Sequence, residues 1–138
     1  MDYSTFTLKT FYIKKDSTLP ELKYPLTQHF REQYDITEDM LDNVGVTFSM
    51  IDSYGIFHIA NVSANLVIND DRMNYPDEEK YTLTYRFKEF ETSKIGRFFG
   101  EFKLDFLDND VGCGKITIPT NGNISIVIFD SLTKTTVE

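Results

Sequence analysis

Covalent or acid–base chemistry needs a nucleophile, a base or a metal-ligand set, and this chain of 138 residues offers few of each. Its one cysteine, Cys113, lies between Gly112 and Gly114, and its two histidines are His29 and His58. A thiol enzyme needs a lowered thiol pKa and an oriented imidazole. Nothing near Cys113 supplies either, so the two glycines read as a tight turn ahead of a strand at Ile116 and the thiol as structural. A single cysteine forms no internal disulfide and no paired-cysteine zinc site.

Carboxylates cluster at Asp70-Asp71 and at Asp108 and Asp110. Oxygen-rich loops of this kind can hold calcium, but the EF-hand spacing, with Gly at position 6 and Glu at position 12, is absent. These read as solvated turns, and Glu78-Glu79-Lys80 and the pair Glu89 and Glu91 as solvated loop charges. No glycine-rich loop opens a helix and no Walker-type lysine follows one, which leaves nucleotide chemistry without a foothold. The expectation is a non-enzymatic chain with no catalytic, metal-binding or cofactor-binding residues.

Aromatic residues are the remaining chemical resource, 12 Phe and 8 Tyr with no Trp. Their spacing places most of them on strands. Val44, Val46, Phe48 and Met50 alternate with smaller or polar residues, as do Val62, Ala64, Leu66 and Ile68. The same holds for Tyr81, Leu83, Tyr85 and Phe87, and for Phe98, Gly100, Phe102, Leu104 and Phe106. Ile116 and Ile118, then Ile124, Ile126 and Ile128, close the series. Side chains flip at every residue of a strand, so each run forms one apolar row. The predicted core is Val46, Phe48, Leu66, Ile68, Leu83, Tyr85, Phe102, Leu104, Ile116, Ile126 and Ile128.

Turn chemistry separates the runs: Ser53-Tyr54-Gly55, Asn69-Asp70-Asp71, Tyr75-Pro76-Asp77, 93–96, 108–112 and Thr120-Asn121-Gly122-Asn123. The Asn-Gly pair at 121–122 predicts a hairpin. Phe6, Leu8, Phe11 and Ile13 read as an opening strand. Pro20 and Pro25 confine 19–26 to a sheet edge. Residues 28–42 are the one helical stretch, with Thr37 and Asp39 placed to cap a short turn. Short strands with such turns predict an all-β sandwich.

Composition sets the outer limits. Hydrophobic residues make up 41% and charged residues 26%, which excludes disorder as the main state. No apolar run approaches the roughly 18–20 residues of a membrane span, and residues 1–15 lack the pattern of a secretory signal. With 22 acidic against 14 basic residues the net charge is −8, which argues against a nucleic-acid backbone binder.

Residues 43–131 resemble the N-terminal immunoglobulin-like domain of phage baseplate upper proteins and related virion domains. The resemblance lies in the 46–50 strand followed by Asp52-Ser53-Tyr54-Gly55, and in the 61–68 strand. It continues in 81–86 with Phe90-Glu91-Thr92, in Gly96-Arg97-Phe98-Phe99-Gly100-Glu101-Phe102, and in the closing Ile116-Thr117-Ile118-Pro119 and 124–130. The polar stretch Lys14-Lys15-Asp16-Ser17-Thr18-Leu19-Pro20 resembles that group's leading strand. Two departures stand out: Glu91 where Asp often precedes the Thr, and the 28–42 insertion.

The resemblance implies an immunoglobulin-like antiparallel β-sandwich with Greek-key connections and one short helical insertion. A single domain is expected: irregular strands and insertion over 1–42, the body over 43–131 and a polar tail over 132–138. It further implies a phage virion structural protein, acting in the particle as an adaptor, connector or decoration. Its expected partners are other virion proteins and copies of itself, in an oligomer or symmetric ring, with no nucleic acid and no membrane. The alternative is a carbohydrate-binding sandwich, on the strength of the surplus aromatics. Phe99 points opposite to Phe98 and Phe102, and irregular additions to a scaffold tend to carry specific contacts. The expected interface is therefore Phe6, Phe11, Tyr12, Tyr24, Phe30, Tyr34, Phe57 and Phe99, centred on residues 6–34 and the insertion.

Overall fold

The computed structural model describes residues 10–70, 79–106 and 114–130. Among them are nine strands: β1 (Phe11–Lys14), β2 (Leu22–Pro25), β3 (Val44–Asp52), β4 (Phe57–Ser63), β5 (Asn65–Ile68), β6 (Tyr81–Tyr85), β7 (Gly96–Phe106), β8 (Gly114–Ile118) and β9 (Ile124–Phe129). The two helices, α1 (Gln28–Gln33) and α2 (Glu38–Leu41), are short. The chain is all-β, and its strands form two sheets in a sandwich-like arrangement. The larger sheet runs β1-β9-β7-β3-β4, with β8 also on β7, and the smaller runs β2-β6-β5. Pairing is antiparallel except between β1 and β9, which run parallel from Phe11↔Ile126 to Lys14↔Phe129. Consecutive strands β1 and β2, β2 and β3, β4 and β5, and β6 and β7 lie in different sheets, so the chain repeatedly crosses the sandwich.

Alternation works as expected on the long strands. Val46, Phe48 and Met50 on β3, the even-numbered positions from Phe98 to Phe106 on β7, and Ile124, Ile126 and Ile128 on β9 are all buried. Phe48 is the centre of the core. Its ring centroid lies 4.6 Å from that of Tyr85 on the opposite sheet, 5.0 Å from Phe102 and 6.0 Å from Phe87. Side chains of this size contribute about 1.5–3 kcal/mol each when fully buried.

Several expectations need correction. The Asn121-Gly122 turn closes no hairpin. Ile118 faces Phe102 and Ile124 faces Gly100, so β8 and β9 run in the same direction along one edge of β7. The 11 residues of β7 are long enough to pair with each in turn, and 119–123 loop out opposite a single β7 position. The run over 62–68 is two strands in two sheets. The Ala64 amide donates to the Val46 carbonyl, 2.9 Å, after which β5 joins β6. At that crossing β5 becomes a sheet edge, leaving Ile68 43% exposed and Leu66 only partly buried. Ile116 is likewise partly buried. The single helical insertion is two helices, each started by a threonine hydroxyl: Thr27 accepts from the Phe30 amide and Thr37 from the Met40 amide.

Gly100 lies under Phe48 with no space for a methyl group. A Cβ there would stand 2.8 Å from Phe48 Cζ and 2.9 Å from Ile126 Cδ1. Gly100→Ala is expected to cost about 1–3 kcal/mol by overpacking, read as a lowered urea midpoint.

Candidate functional site

The strands lead to two ends of different character. β3 runs from Val44, beside Phe106, to Asp52, beside Phe98. At the starting end lie α1, α2 and the Tyr81 end of β6. At the finishing end lie three loops: the 53–56 hairpin tip, the 15–21 connection, and a 3-10 turn over Glu89–Thr92 that leads into β7.

Each of these loops is held by side-chain hydrogen bonds. Asp52 Oδ1 accepts from the amides of Tyr54 and Ile56, 2.8 and 3.0 Å, while Oδ2 lies 3.0 Å from His58 Nε2. These bonds, that to His58 foremost, hold the Asp52 carboxyl below its usual range. Gly55, at φ +84, supplies the left-handed position of this turn. The 3-10 turn hangs on Glu91, which is buried rather than solvated as its sequence suggests. The Tyr85 hydroxyl donates to its carboxylate, 2.7 and 2.9 Å to the two oxygens, and the Lys88 amide donates to Oε1, 2.8 Å. Burial, reinforced by Glu91, raises the Tyr85 phenol. The Thr92 hydroxyl donates to the Ser17 carbonyl and the Asp16 amide to the Thr92 carbonyl, tying the turn to the β1–β2 connection.

These loops hold apolar residues out to water. Leu19, Tyr54, Ile56, Phe90 and Ile95 are 52–88% exposed. Tyr12, Phe57 and Phe129 continue the patch onto the outer face of the large sheet, where Tyr12 meets Phe129 edge-on at 6.3 Å. Register lines up Phe57, Ile51 and Phe99 across β4, β3 and β7. Eight of the eleven exposed large apolar side chains among the described residues thus gather at one end and its adjoining face. Exposed apolar clusters of this size are the kind of surface that folded proteins use for interaction.

The expected interface residues fall in several places. Tyr12, Phe57 and Phe99 join the loop-end patch. Phe11 is partly buried, stacked on Phe87 at 5.9 Å, and Tyr24 packs against the core. Phe30 on α1 and Tyr34 just past its end pair at 4.9 Å, and Tyr34 Oη lies 3.0 Å from Thr120 Oγ1. Phe6, Cys113, Asp71, Glu78, Asp108 and Asp110 lie outside the described residues. His29 on α1 and His58 beside the hairpin occupy opposite ends. Among the described residues no group of three or more His, Cys, Asp or Glu could hold a metal, and no helix is long and apolar enough to cross a membrane. Sequence reasoning missed Leu19, Tyr54, Phe90 and Ile95. The available signal was a large apolar residue inside a turn, where no sheet face exists to cover it.

The helical end is polar. An open cavity of about 390 Å³ is lined by Arg31, Glu32, Asp35, Ile36, Glu38 and Tyr81, among others. The Arg31 guanidinium and the Lys80 ammonium stand 4.9 and 5.4 Å from the Tyr81 ring centroid. The Tyr81 hydroxyl donates to Glu38 Oε1, 2.9 Å, and Lys80 Nζ lies 3.6 Å from the same oxygen. Tyr81 is pushed up to about 12, chiefly by burial and then by Glu38. Charge differs between two segments: within 28–42 Glu32, Asp35, Glu38, Asp39 and Asp42 outnumber Arg31, whereas within 86–97 Arg86, Lys88, Lys94 and Arg97 outnumber Glu89 and Glu91.

The chain matches no protein-family model, no curated protein and no solved structure.

Glu91→Ala strands the buried Tyr85 hydroxyl and is expected to cost about 1.5–3 kcal/mol in urea unfolding. Because the Tyr81 phenol is raised in the folded state, its contribution is fully present below the ordinary tyrosine range near pH 10 and is lost as pH rises toward about 12. Urea midpoints of the wild type should therefore fall more steeply than those of Tyr81→Phe between about pH 10 and 12.

Proposed function

We propose that this chain is a non-enzymatic structural module of a bacteriophage particle that docks on other virion proteins through its loop end. The observation that carries the docking role is the collection of exposed apolar side chains on three loops held by hydrogen bonds within or between them. Loops already fixed in one conformation lose little entropy when a partner binds, so the apolar contact converts efficiently into affinity. The phage setting and the role of adaptor, connector or decoration rest on the resemblance of residues 43–131 to baseplate immunoglobulin-like domains. Placement in the virion follows from that resemblance.

A carbohydrate-binding role is the second reading, favoured by Tyr12 and Phe57, whose rings lie open on the outer sheet face. Two measurements separate the readings. Mass-spectrometric inventory of purified phage particles is expected to contain the chain, and Phe90→Ser/Ile95→Ser to be excluded from them. Absence of the wild type from particles overturns the virion reading. Glycan-array binding that disappears in Phe57→Ala selects the carbohydrate reading instead.

A further inference from the structure

We propose that the loop end of one copy docks on the helical end of the next, so that the chain assembles head to tail. The inference rests on the docking role given above and names the occupant of that surface. Its basis is charge complementarity between the two ends. Exposed Lys88, Lys94 and Arg97 flank Phe90 and Ile95 in sequence and outnumber exposed Glu89 there, while Glu32, Asp35 and Glu38 outnumber Arg31 and Lys80 around the open cavity at the helical end. The 11-residue β7 separates the ends by about 36 Å at about 3.3 Å per residue. That is more than three Debye lengths at about 0.1 M salt. Each end therefore presents its local charge to an approaching partner, and the net charge of −8 does not prevent opposite ends from meeting. The cavity, at about 390 Å³, has room for one large side chain from the arriving loops. Two different surfaces make the contact heterologous. It closes into a ring if the rotation between copies permits and extends as a filament otherwise.

Sedimentation velocity over a wide concentration range tests this with the full chain and two variants at exposed positions. Wild type is expected to populate dimers and larger species as concentration rises. Phe90→Ser/Ile95→Ser, blocked at the loop end, and Glu32→Lys/Asp35→Lys, blocked at the helical end, should each remain monomeric with circular dichroism like that of the wild type. An equimolar mixture keeps one intact surface of each kind, so it should form dimers and nothing larger. Continued self-assembly of Glu32→Lys/Asp35→Lys overturns the proposal in favour of a loop-to-loop contact. A wild type that stays monomeric overturns it too, including one that binds phosphatidylserine vesicles through the loop end. In that monomeric case, continued exclusion of Phe90→Ser/Ile95→Ser from particles leaves the docking role standing with a different occupant. Its incorporation removes the docking role itself.

Discussion

Phe48 occupies the position at which the two sheets must meet, and its ring reaches Tyr85 only because β7 places Gly100 beneath it. A side chain at position 100 would lift the ring off the large sheet and out of its stack. The contact therefore rests on an absence of atoms on one strand and a large side chain on its neighbour. Close packing of this kind admits few alternatives, since a gap or an overlap of one methylene is felt throughout a dense interior. From Tyr85 the same connection continues outward. The far end of that side chain is its hydroxyl, which meets the Glu91 carboxylate, and Glu91 in turn holds the Lys88 amide. Core packing and the position of the 3-10 turn are thus one structure.

This linkage explains how a small sandwich keeps apolar residues in water without collapsing onto them. Phe90 would gain by folding inward, but the turn that carries it is tied by Glu91 on one side and by Thr92 on the other. The hairpin at 53–56 is similarly bound to Asp52. Burying a carboxylate such as Glu91 is costly unless its lone pairs are occupied. The Tyr85 hydroxyl and a backbone amide occupy them here. The residue thus serves the fold, tying the turn to the core through Tyr85.

Strands with regular alternation were legible in the sequence, because β3, β7 and β9 each bury an apolar row on one face and leave most of the other face less buried. The features that were not legible depend on partners remote in the chain. Ala64 marks a change of sheet, which no local pattern records, since apolar alternation continues unbroken across it. The Asn121-Gly122 pair carries hairpin chemistry, yet a single long neighbour, β7, determines where the flanking strands lie. Glu91 reads as a loop charge because its burial comes from Tyr85 on another element. The loop-end patch was half visible: Tyr12 and Phe99 follow from strand phase, whereas Phe57 is turned outward by a register shift between β3 and β4, and Phe90 and Ile95 become surface features only once the turn is fixed.

The parallel pairing of β1 with β9 has a mechanical consequence. The chain enters β1 at one extremity of this pair and leaves β9 at the other. Tension applied through the flanking chain pulls the two strands lengthwise past each other, loading their slanted hydrogen bonds in shear and all at once. Antiparallel neighbours pulled from a shared extremity would instead peel apart one bond after another. Resistance to such a pull rests on this one pair of strands, since β1 pairs with no other strand among the described residues.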